Sequence, residues 1–108
     1  VRFTRQLHSE DMDDRFDSLR KATEAAVLDG GGETPPELRR AVAKGNVPPN
    51  LALVVEKIRS RAHSITDADV DGLRAHYSDD QLFELIVAAT FGAASERLAA
   101  ALRALEDA

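Results

Sequence analysis

The stretch that decides the fold is SITDADVDGLRAHYSDDQLFELIVAATFGAASERL, residues 64–98. Thr66 stands three residues before Asp69. At that spacing a cap hydroxyl accepts the N–H of the third helical residue, whose own side chain returns the bond to the cap N–H. Ile65 and Val70 flank the cap as a hydrophobic staple. Ser78 and Gln81 repeat the device, with Tyr77 and Leu82 as the second staple. Two such starts predict a short helix over about 67–75, a tight corner, and a long helix over about 79–106.

Within the long helix only Glu84 is charged between Leu82 and Ala94. A helix that is apolar almost all round is expected to be covered on more than one side. Gly92 stands beside Ala93 and Ala94, and a mid-helix glycine costs about 1 kcal/mol relative to alanine. Close approach of another helix is the expected compensation. A chain of 108 residues seldom covers such a helix alone, so a homo-oligomer with this helix at the interface is expected.

Upstream, Ser9 with Glu10 and Asp11 reads as a cap, and Met12, Phe16, Leu19, Thr23, Ala26 and Val27 recur at helical spacing. They predict a first amphipathic helix to about Leu28. Asp29 to Glu33, DGGGE, reads as its C-cap and a flexible joint. Residues 1–33 thus form an N-terminal helix and joint, free to dock on a neighbouring subunit, and residues 34–108 a helical domain. Thr34 and Glu37 have capping-box spacing with Pro35 and Pro36 in the first turn, and this helix should end near Lys44 and Gly45. Leu51, Val54, Val55, Ile58 and Ala62 mark the apolar face of a third helix, with Glu56, Lys57, Arg59 and Arg61 on its wet side. No alternating strand pattern occurs, so the fold class is all-α.

Composition excludes whole classes of function. There is no cysteine, which removes disulfides, thiolate metal sites and thiol catalysis. The net charge of -5 disfavours nucleic acid and anionic membranes. Read as a helix-turn-helix, the paired helices would present Asp79, Asp80, Gln81 and Glu84 to the phosphates. His8, His63 and His76 are too widely spaced for a metal pair, and Asp67 to Asp71 lacks the glycine and terminal glutamate of a calcium loop. No metal or cofactor is expected. No unbroken apolar run reaches the roughly 18 residues of a membrane span, and the first twenty residues are polar and acidic. A cytoplasmic protein without membrane contact is expected. Glu84 and Arg97 lie about 20 Å apart along one helix, so each must find a partner elsewhere.

Residues 34–106 resemble the carboxymuconolactone decarboxylase and alkyl hydroperoxidase D (AhpD) superfamily of small all-α proteins. The likeness lies in TDADVDGLRAHYSDDQLFELIVAATFGAASERLAAALRAL, with its short helix, capped corner and small-residue long helix. It implies an AhpD-like helical bundle whose long buried C-terminal helix packs on an antiparallel helical hairpin. The peroxidase branch carries a C-x-x-C-x-x-x-H motif. Registering that branch's corner glycine on His76 puts its cysteines on Arg61 and Ser64 and its histidine on Ala68, so thiol peroxidase chemistry is excluded. The resemblance then implies a non-peroxidase oligomeric scaffold or ligand-binding protein. The alternative is a cysteine-free, decarboxylase-like lyase acting on a small carboxylate. In it, Arg59 or Arg61 holds the carboxylate and His63 serves as acid or base. A third reading is a partner-binding protein that docks through its first helix.

Overall fold

The computed structural model describes residues 14–107, and every regular element among them is helical. Helix α1 occupies residues 14–24 and widens into a π-helical turn, Ala25–Asp29. Helices α2 (Pro36–Lys44), α3 (Ala52–Arg61), α4 (Asp67–Asp71) and α5 (Asp79–Asp107) follow. Single 3-10 turns, Pro49–Leu51 and Ala62–Ser64, lead into and out of α3. The cap at Ser9 to Asp11, His8 and Met12 lie outside the described residues.

Both start signals of the opening stretch form. Thr66 and Asp69 exchange side-chain and backbone bonds of 3.2 and 3.0 Å. Ser78 and Gln81 do the same at 3.1 and 2.9 Å. Ile65, Val70 and Tyr77 pack partly buried against the core and Leu82 enters it. Helix α4 is one turn shorter than its pattern suggests, because the backbone from Gly72 to His76 continues as turns.

The core is the junction of α2, α3 and α5. Val42 and Ala43 come from α2, Val54, Val55 and Ile58 from α3, and Leu82, Leu85, Ala88, Ala89 and Ala93 from α5. Gly92 is the contact point of α2 and α5, since a Cβ there would overlap the carbonyl of Ala43. The close approach expected from the sequence therefore exists, and the partner is a helix of the same chain. Gly45 closes α2 in the left-handed region at φ 86°, its N–H bonding Val42 O while Asn46 bonds Ala41 O, the pairing that ends many helices.

Other expectations need correction. Thr34 does not cap α2: the residue before a proline is held extended, so Pro35 occupies the cap position and the helix begins at Pro36. The joint after α1 is tied down rather than loose, as set out below. Lys57 and Arg59 are not on a wet face, because both are drawn into ion pairs and only 16% and 22% exposed. Ala62 is exposed.

Helix α5 is covered on one side and not on several. Phe83 is 69% and Leu105 56% exposed, and on α1 Phe16 and Leu19 are exposed as well. Beyond Ala93 no residue of α5 is buried, and its last two turns, residues 100–107, project past the core, in keeping with extents of 57 × 29 × 19 Å. The radius of gyration, 16.7 Å, exceeds the roughly 13 Å of a compact domain of about 100 residues. By length and composition α5 would also suffice to cross a membrane, with 28% of that window buried. Counting unbroken apolar runs missed this, because a span tolerates the occasional charge that ends such a run.

Candidate functional site

Of the three residues singled out for a carboxylate substrate, Arg59 and Arg61 make separate ion pairs. Arg59 and Arg61 are two positions apart, a spacing that sends helical side chains to different sides. Arg59 turns to the α2–α5 junction, donating to Ala43 O at 2.7 Å and pairing with Glu96. That guanidinium holds the Glu96 carboxyl below the usual glutamate range. Arg97 donates to the backbone carbonyl of Arg59, which clamps α3 to α5. Arg61 remains exposed and reaches Glu56 at 3.3 Å. His63 is exposed on the turn Ala62–Ser64. Ser64 Oγ donates to Arg61 O at 2.7 Å, so the two positions registered on the family's cysteines touch through a backbone carbonyl.

A cleft forms instead where α1, α2 and α5 meet, with a cavity volume of about 170 Å³. Its floor is Leu28, Ala43, Phe91 and Gly92, and its rim carries Arg20, Glu24, Arg40, Lys44, Ser95 and Glu96. Most of these charges neutralise one another. Arg40 pairs with Asp29 and, at 3.6 Å, with Glu24, while Arg20 reaches Glu24 at 3.7 Å. The hydrogen bond from Arg40 lowers the Asp29 pKa, and Asp29 raises that of Arg40 in return. Glu96 is taken by Arg59. Among the described residues the side chains of Lys44 and Ser95 have no hydrogen-bond or ion-pair partner.

Two polar residues outside the lining fasten the chain that follows Leu28. Arg39, 3% exposed, donates to Val27 O at 2.9 Å and Gly30 O at 2.6 Å, satisfying carbonyls freed where the π-helical turn ends. Its Nε has no partner. Glu84 accepts from Glu33 N at 2.7 Å, Thr34 N at 3.0 Å and Thr34 Oγ1 at 2.6 Å. The Thr34 hydroxyl, followed by the Glu33 amide, keeps the Glu84 carboxyl below its ordinary range. These two residues fasten both ends of the glycine-rich segment, and so fix α1 over α2 and α5.

No family model, curated protein or solved structure matches this chain. Sequence reasoning missed the cleft because Lys44 and Ser95 lie fifty-one residues apart and neither belongs to a motif. It did isolate Glu84, as the lone charge in an apolar run, but not the segment that receives it.

Proposed function

We propose that this chain is a cysteine-free relative of the AhpD-like helical proteins that acts as a self-associating scaffold and not as a peroxidase. In this reading α5 is the long bundle helix, and α2 and α3 each pack on it. The observation that carries it is the outer face of α5. Phe83, Val87, Thr90, Ala94, Leu98, Ala101 and Leu105 follow one another at intervals of three or four residues with no charge among them. At 1.5 Å per residue the seam is about 33 Å long. Ala94 and Ala101 are exposed, as are Phe83 and Leu105 at the ends. A contiguous apolar strip of this kind marks an interaction surface.

The partner that suits it is a second copy. The seam is symmetric about Ala94: Phe83 and Leu105 lie eleven residues to either side, Val87 and Ala101 seven, and Thr90 and Leu98 four. Two antiparallel α5 helices related by a two-fold axis would cross closely at Ala94 and set the Phe83 of each against the Leu105 of the other. An anionic membrane suits the same face poorly, since Asp79, Asp80, Glu106 and Asp107 stand at the helix ends and the chain carries -5. The lyase alternative gains no support from Arg59 and Arg61, whose guanidiniums are already paired with Glu96 and Glu56.

Sedimentation equilibrium tests the proposal. A dimer at micromolar concentration is expected, and Ala94→Arg, which puts a charge at the crossing point without touching the core, should give a folded monomer. A wild-type monomer, or a dimer indifferent to Ala94→Arg, would sink the reading.

A further inference from the structure

We propose that the cleft between α1, α2 and α5 binds a small amphipathic monocarboxylate. Its apolar body rests on Leu28, Ala43 and Phe91, and its carboxylate lies between Lys44 Nζ and Ser95 Oγ. This goes beyond self-association and uses another side of α5, because Phe91 and Ser95 are not seam residues.

Three observations fix the class. The first is charge. With Arg20, Arg40, Glu24 and Glu96 engaged in ion pairs, Lys44 is the cation of this rim without an ion-pair partner among the described residues. A single unpaired ammonium suits one carboxylate, which accepts from both an ammonium and a hydroxyl. The second is the floor, which is hydrocarbon and an aromatic ring, so a bare inorganic anion would leave it uncovered. The third is size. About 170 Å³ falls below the roughly 300–1,000 Å³ of pockets that enclose drug-sized ligands. A volume of this order suits a small molecule such as a medium-chain or small aromatic acid.

The cleft is also pre-formed. Arg39 and Glu84 anchor the segment that carries Leu28 and α1, and Gly92 brings Ala43 against α5. Little ordering is then left for a ligand to induce, which favours binding of a small molecule.

The test is a titration of the full chain with sodium octanoate, followed by the backbone amide resonances in ¹⁵N-labelled protein. Saturable shifts are expected at Leu28, Lys44, Gly92 and Ser95. Lys44→Gln should weaken octanoate at least tenfold and Ser95→Ala severalfold, while 1-octanol should bind wild type no better than it binds Lys44→Gln. Lys44 is exposed, so its variant keeps the fold, and an unchanged amide spectrum verifies that. Shifts confined to the Phe83–Leu105 seam would overturn the proposal, as would equal affinity for Lys44→Gln or equal binding of octanol and octanoate. A monomeric wild type would overturn the scaffold reading and leave this one standing, so the two failures are distinguishable.

Discussion

Glu84 is the residue on which most of the α1 attachment converges. Its carboxylate accepts three bonds from Glu33 and Thr34, and the folded state lowers its pKa, first through the Thr34 hydroxyl. A carboxyl whose folded pKa lies below the unfolded value contributes stability that is complete above the unfolded value. That contribution is lost as pH falls through the folded value. The wild type should therefore lose stability below about pH 4.3, the ordinary glutamate value. Glu84→Gln should be less stable at pH 7 and show a shallower acid loss, measured by urea unfolding between pH 7 and 3. Some acid loss will remain, because Asp69, beside Lys57, is also shifted down. Identical acid profiles would show that Glu84 is not the titrating anchor. Gly92 gives a second prediction at this scale. Alanine there gains about 1 kcal/mol in helix propensity, yet its methyl would overlap a backbone carbonyl. Overpacking of that kind costs about 1–3 kcal/mol or more. Gly92→Ala should unfold at lower urea concentration, and a more stable variant would contradict the α2–α5 contact.

Among the elements, the helix starts are unequal. Those at Thr66 and Ser78 are closed by their own side chains, and the first is reinforced by Lys57, which reaches Asp69 at 2.7 Å from α3. Helix α2 has no side-chain cap and relies on Pro36 at its first position, where a missing N–H costs nothing. The roles of Thr34 and Glu37 should separate accordingly. Thr34→Ala removes a bond to Glu84 from a buried position, so it should destabilise by about 1–2 kcal/mol, whereas Glu37→Gln on exposed α2 surface should stay within about 0.5 kcal/mol. Thermal melts of the two variants check this, and equal losses would restore the capping-box reading.

At the scale of the whole molecule, the extents of 57 × 29 × 19 Å describe a small core with one projecting arm. Residues 100–107 of α5 contribute no buried side chain to that core. Their role in the proposed assembly is to carry Ala101 and Leu105 to the far end of the seam. In the monomeric Ala94→Arg background, truncation after Ala99 should shift the melting midpoint by no more than about 5 °C, roughly 1 kcal/mol for a domain of this size. In the otherwise wild-type chain the same truncation should abolish the dimer. A large loss of stability in the monomeric background would show that the arm packs on its own chain.

The amino-acid sequence by itself determined most of what acts within a turn or two of helix, the Thr34 box and the end of α4 excepted. The boxes at Thr66 and Ser78, the stop at Gly45 and the length of α5 need only neighbours three or four residues away, so their chemistry is written in adjacent letters. The lone charge of Glu84 and the mid-helix Gly92 announced that something must meet them, without saying what. Only the tertiary structure decided their partners, because hydrogen bonds spanning fifty residues and a contact between helices depend on how separate elements pack. It gave Arg59 and Arg61 separate partners and set Lys44 and Ser95 on the lining of one cleft, which no spacing encodes. It also left one face of α5 bare, since α2 and α3 together cover only the other.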